Sequence, residues 1–188
     1  MAIDISQGKY TLLKSAKSVL RANFNAVRTT LSGEGVTDYL PDPLQADSAS
    51  TGTNIYTSDQ RIQPQATQYV LLEARRLASR SKPMALGVED RDFELTALCG
   101  VKGFVQNRAA TDPSPTPEDA GWQTADNLRR IVVYVLCRYL TADTTNTAYW
   151  MEAADGEQQQ LDARRPAEYA YKQRFIVRMR IRAPLGEG

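Results

Sequence analysis

The sequence predicts an α+β fold: a mixed, mostly antiparallel sheet flanked by two main amphipathic helices, with long loops. Three observations lead there. Two stretches, 10–32 and 124–141, repeat apolar residues at three- and four-residue steps, the period of a helix with one buried face. Residues 168–183 alternate apolar and basic side chains, the period of a strand. Residues 33–66 and 107–123 are polar and punctuated by Pro and Gly, as loops are. The 188 residues suffice for one domain with its own core. The expected organisation is a single domain over 1–188, with 33–66 and 107–123 as loops or arms and 184–188 as a flexible tail.

In the first helix, Leu12, Leu13, Ala16, Val19, Leu20, Phe24, Val27 and Leu31 form the apolar face. Lys14, Lys17, Arg21 and Arg28 fall on a basic stripe beside it, at about 100° per residue. Gly33 is placed to end the helix. The polar stretch that follows holds Ile55 and Tyr56 as isolated apolar residues. A loop of that length is functional, disordered or docked onto something else.

Strands are expected from residue 67. Thr67–Leu77 reads as a strand, with a helical turn over 71–80 as the alternative. Residues 84–90 and 92–106 read as a hairpin or two successive strands. Phe93, Leu95, Ala97, Cys99 and Val101 alternate with more polar positions, and Gly100 and Gly103 suggest a bulge or bend. Pro113, Pro115 and Pro117 favour an extended loop. In the second helix Leu128, Ile131, Val132, Val135, Leu136, Tyr139 and Leu140 share a face, with Thr124 as N-cap and Asp126 in the first turn. Residues 149–154 form a short strand and 155–157 a turn. In the last strand Tyr169, Tyr171, Phe175, Val177, Met179 and Ile181 take one face. Lys172, Arg174, Arg178, Arg180 and Arg182 take the other, joined by Ala170 and Ile176.

The net charge of +1 is unevenly spread. Residues 9–32 carry five bases and no acid; residues 33–60 carry Glu34, Asp38, Asp42, Asp47 and Asp59 and no base. Residues 164–182 carry seven bases against Glu168. Blocks of opposite sign are complements across a subunit contact, or faces that never meet. The interface candidates are therefore Lys14, Lys17, Arg21, Arg28, Asp38, Asp42, Asp47, Arg174, Arg178, Arg180 and Arg182.

There is no histidine, which removes His-dependent nucleophile activation, His acid–base catalysis and His-ligated zinc. Neither a phosphate-binding P-loop nor a dinucleotide fingerprint is present. Cys99 and Cys137 each sit in an apolar run and are expected as buried, reduced thiols. The run Glu89–Glu94 reads first as a charged hairpin turn between two strands; in a strand, Asp90, Asp92 and Glu94 would share a face and could ligate Mg²⁺. The arginines of the last strand could contact phosphates, but no aromatic residues interleave them along that strand face. Trp122 and Trp150 stand at element boundaries, as core edge or as interface anchors. No catalytic residue, cofactor or metal site is expected. No stretch has the length of a signal peptide's apolar region or of a membrane span, so a protein made in a cytoplasm is expected.

The element order resembles the tail terminator (tail completion) proteins of tailed bacteriophages. It runs from an amphipathic helix at 10–32 through a long loop, strands and a second helix at 124–141 to a hairpin ending in YKQRFIVRMRIRAP. The resemblance covers about residues 10–184 and rests on order and size, with no invariant motif. It implies a mixed sheet flanked by helices, a homo-oligomer forming a hexameric ring, and no enzymatic activity. The implied partners are the tail tube and the neck or connector proteins, with the sheath as a further candidate; genomic DNA would pass through the lumen without sequence-specific binding. A virion location follows, and no membrane. Two loops longer than the family pattern leave another neck component, a stopper or head-completion protein, as the alternative. A nucleic-acid-binding module using the Arg-rich last strand is the third reading.

Overall fold

In the computed structural model, residues 5–35, 39–45, 53–58, 67–85, 88–102, 117–142, 148–154, 156–159 and 168–182 are described. The first helix, α1, spans Ile5–Gly33, five residues longer at its start than the periodicity indicated. Gly35 follows at φ 92°, a left-handed residue that turns the chain away where a side chain would be strained.

A strand lies inside the predicted loop. β1, Thr53–Thr57, runs parallel to β2, Gln68–Ala85, in register from Thr53 opposite Gln68 to Thr57 opposite Leu72. Residues 39–45 fasten its start. Gln68 accepts from the Asp42 N–H at 2.8 Å and donates to the Asp42 carboxylate at 3.0 Å. The Thr53 hydroxyl donates to the Asp42 carbonyl at 2.7 Å. The same segment docks on α1: Arg28 Nε donates to the Pro41 carbonyl, and Asn25 accepts from the Leu44 N–H. A polar neighbourhood thus replaces the hydrophobic alternation that marks most strands.

β2 continues far past Leu77, and the alternative helical turn over 71–80 does not form. β3, Val88–Lys102, pairs with it antiparallel, with Ala85 opposite Val88. The acidic run Glu89–Glu94 is strand, which corrects the expected turn there. Gly100 is no bulge either. It pairs regularly with Tyr69 on one side and Ala170 on the other, and a Cβ on it would lie 2.3 Å from Tyr69 Cζ. The buried Tyr69 ring lies over this glycine, and its hydroxyl donates to Glu168 at 2.8 Å. Gly103 lies outside the described residues.

The second helix, α2, spans Pro117–Tyr139. It begins seven residues before Thr124, so residues 117–123 are helix and not loop. Proline suits a first helical turn because that turn's N–H has no intrahelical acceptor. Thr124 is therefore interior and no cap; its hydroxyl donates back to the Ala120 carbonyl at 2.8 Å. Asp126 lies beyond the first turn and pairs with Arg129. Three strands close the chain: β4, Ala148–Ala153; β5, Glu157–Gln159, which the sequence did not indicate; and β6, Glu168–Arg182.

The sheet order is β1-β2-β3-β6-β4, with β5 also on β6. All pairings are antiparallel except β1 with β2. Both helices pack on one face. Leu12, Leu20 and Phe24 of α1 and Leu128, Ile131 and Leu136 of α2 share a core with Val70, Leu72, Phe93, Leu95, Cys99, Phe175, Val177 and Met179. Gly8 lies against Phe93 and Ile181, whereas Gly121 lies against Tyr169 at the other end of β6. The helices therefore cross the sheet in opposite directions. Trp122 holds the start of α2 down, edge-on to Tyr169 and Tyr171 at 5.3 and 5.6 Å. A polar relay fixes its middle. Arg129 bridges Asp126 and the buried Gln173, whose amide donates to the Ala154 carbonyl. No helix among the described residues is long and apolar enough to cross a membrane.

The two cysteines part company. Cys99 is buried in the core, and loss of hydration pushes its thiol up to about 12. Cys137 is exposed on the outer side of α2, which corrects the expectation of a second buried thiol. One thiol per chain will therefore react with a soluble disulfide reagent at pH 8 in the native protein, and two after denaturation. At that pH the Cys99 thiolate fraction is roughly one in ten thousand by its distance from the pKa. Two native thiols of equal rate would contradict the burial of Cys99.

Candidate functional site

The sheet face away from the helices gathers the charged residues singled out in the sequence. Asp90, Asp92 and Glu94 alternate along β3 and Arg174, Arg178 and Arg180 lie along the same face of β6; antiparallel pairing sets Asp90 opposite Arg180 and Asp92 opposite Arg178, while Glu94 faces Ile176 and Arg174 faces Thr96. Asp92 meets Arg178 directly. Nε and Nη2 of the guanidinium reach the two carboxylate oxygens at 2.8 and 3.3 Å, a two-pronged contact that fixes both side chains. Asp90 meets Arg180 at 3.3 Å. Glu94 is gripped from the other side by Arg75 of β2, with two contacts of 2.9 Å. Arg174 reaches Glu157 of β5 at 2.9 Å. Four strands are thereby laced by ion pairs that the sequence presented as separate acidic and basic leads.

Aromatic residues complete the array from the neighbouring strand. The β4–β6 register shifts between Ala148 and Trp150. Across that shift Ala148 enters the core, while Tyr149 and Trp150 both face the charged array. A bulge re-aims side chains in this way. Trp150 lies 5.2 Å from the Arg178 guanidinium and Tyr149 5.3 Å from that of Arg180. Tyr149 also donates to Asp90 at 2.7 Å. Burial of the phenol, then this bond to a carboxylate, holds its pKa above the ordinary value. The bond to Asp92 likewise raises that of Arg178. Each guanidinium sits between a carboxylate and a ring, a cation–π geometry that holds its plane. Trp150 and Tyr149 remain 38% and 44% exposed, so their rings are available to a partner.

This geometry bears on each sequence lead. The carboxylates Asp90, Asp92 and Glu94 do share a face, but their oxygens are engaged by arginine and by Tyr149. Among the described residues no group of three or more His, Cys, Asp or Glu side chains is placed to hold a metal ion. Arg174, Arg178 and Arg180 are engaged in turn, which leaves their phosphate-binding capacity largely spent. Arg182 closes the strand opposite Val88, and its side chain lies outside the described residues, as do Asp38 and Asp47. On α1, Lys14 and Arg21 are exposed and Lys17 and Arg28 half-buried. Arg28 and Asp42 are used within the chain, tying residues 39–45 to α1 and β2. Sequence reasoning missed Arg75, Glu157 and Tyr149 as members of the array; the adjacent Tyr149 and Trp150 in a short strand were the available signal.

No family model matches the chain, and no curated protein matches it.

Proposed function

We propose that this protein is a structural subunit of a tailed-bacteriophage virion: a tail terminator that assembles as a hexameric ring, caps the tail tube and joins it to the neck. The observation that carries the reading is the outer sheet face. Neither described helix covers it, and it offers exposed Trp150 and Tyr149 on arginines already held in place. Trp, Tyr and Arg are the residue types that dominate the energetics of protein contacts, and fixed rotamers reduce the entropy lost on docking. A ring needs one such surface to meet a different surface of the next subunit around a closing rotation. The element order and the mixed sheet with two helices accord with the tail terminator resemblance.

In this role the chain performs no catalysis. Its partners are its own copies, the tail tube and the neck or connector proteins, with the sheath added in a contractile tail; DNA passes through the lumen. Mass photometry of the purified protein, alone and with tail tubes, tests the reading. The expected species has six times the 20.9 kDa chain mass. Joint replacement Tyr149→Ala and Trp150→Ala should shift it to smaller species while leaving the thermal midpoint within a few degrees, because both rings are exposed. A protein that stays monomeric in both conditions would overturn the proposal.

A further inference from the structure

We infer that the helical layer binds the phosphate backbone of nucleic acid, without sequence preference, and that the arginine-rich last strand does not. The strand looks the more basic in the sequence, but folding spends three of its charges: Arg174, Arg178 and Arg180 each hold a carboxylate. The unspent charge lies on the other side of the molecule. On α1, which has no acid along its 29 residues, Lys9 and Lys14 stand exposed, while Arg28 is spent on the Pro41 carbonyl. Because the helices run in opposite directions, the N-terminal half of α1 lies at the same end of the sheet as the C-terminal half of α2. That places exposed Lys9 and Lys14 on the same layer as exposed Arg130 and Arg138. The acid described on α2, Asp126, is engaged by Arg129, while Glu118 and Asp119 belong to the far end of the helix.

Two features favour a nucleic acid over an acidic protein surface. Lysine is depleted from protein–protein contacts but serves well as a point charge against phosphate. Exposed rings also stand among these bases. Tyr10 is 64% exposed one position from Lys9, and Tyr134 is 47% exposed, its hydroxyl accepting from Arg138 at 2.6 Å. The rings of the strand face are tied to arginines that hold carboxylates, whereas Tyr134 is tied to Arg138, which meets no carboxylate among the described residues. The inference bears on the ring reading by naming the face turned toward DNA, and it rests on that reading only for the lumen.

The test uses the full chain and a fluorescent duplex of arbitrary sequence, followed by anisotropy between 50 and 200 mM salt. Binding should weaken with a log–log slope of about −3 to −4, as for roughly four phosphate contacts. Lys9→Gln with Lys14→Gln should weaken binding about tenfold at the lower salt and reduce the slope by about two. Arg130→Gln with Arg138→Gln should act alike, whereas Arg174→Gln with Arg180→Gln should change affinity less than twofold. Absence of binding at 50 mM salt, or equal losses from the strand pair and the helix pairs, would overturn the inference. So would polyglutamate competing as well as DNA at equal charge, which would assign the layer to an acidic protein. Mass photometry of the same samples separates the two proposals: a ring that ignores DNA sinks only this one, and a monomer that binds DNA sinks only the ring.

Discussion

Replacing Gly121 with alanine will destabilise the protein by about 1–3 kcal/mol, the usual cost of forcing extra volume into a packed site. Helix propensity alone points the other way, since alanine is favoured over glycine in a helix by about 1 kcal/mol. The difference is Tyr169. A Cβ on Gly121 would lie 2.1 Å from Tyr169 Cδ2 and 2.2 Å from Cε2. The ring has little room to retreat, because Trp122 stacks edge-on against it and Val101 and Ala125 complete its pocket. Moving it would loosen the contact that seats the first turns of α2 on β6. Chemical denaturation should show a lowered midpoint with little change in slope. In a Tyr169→Ala background the same replacement should cost far less, because the clashing atoms are gone. A Gly121→Ala protein as stable as the parent would mean that the ring yields freely.

Unequal losses are expected from the two halves of the Asp92–Arg178 pair. Arg178→Ala should cost more than Asp92→Ala, although each removes the same contact. The carboxylate of Asp92 has only 7% of its side-chain surface exposed, against 34% for Arg178. Stripping the arginine leaves a nearly buried charge without its partner, and also removes the cation beneath Trp150. Stripping the aspartate leaves an arginine that can turn toward water. A buried charge left without its partner costs more than an exposed one, so solvent screening places Asp92→Ala below Arg178→Ala. Thermal unfolding of both single variants and the double variant measures the coupling. Equal single losses would show that water reaches Asp92 as readily as Arg178.

Local patterns were legible in the sequence and non-local ones were not. The α1 and α2 core faces and the two-faced alternation of β6 follow from spacing within one element, and they folded as read. β1 escaped notice because five residues, TNIYT, carry no pattern of their own; pairing with β2 and bonds from Asp42 and Gln68 make them a strand. Pro117 looked like loop because two prolines precede it at even spacing, yet a first helical turn accepts proline. The charged array was least legible of all. Asp92 and Arg178 stand 86 residues apart and Asp90 and Arg180 stand 90 apart, so each block looked like an unspent charge available for metal or phosphate. The composition named the acids of β3 and the arginines of β6 but not Arg75 and Glu157, and only the strand pairing reveals that they neutralise one another.

The place of β6 in the sheet also governs how the chain must fold. This strand is synthesised after the other described strands, yet it lies between β3 and β4 and supplies Phe175, Val177 and Met179 to the centre of the core. Its outermost partner pair, Val88 with Arg182, closes a loop of more than 90 residues. Non-local closure of this kind slows folding toward the millisecond-to-second range. During synthesis the β2–β3 hairpin must wait with one long edge unpaired until residues 168–182 emerge. An open apolar edge is a template for mispairing with other chains. The alternating charges on β3 then act before the native state exists: Asp90, Asp92 and Glu94 repel a second copy of the same strand, and Asp90 and Asp92 welcome a strand that sets Arg180 and Arg178 opposite them.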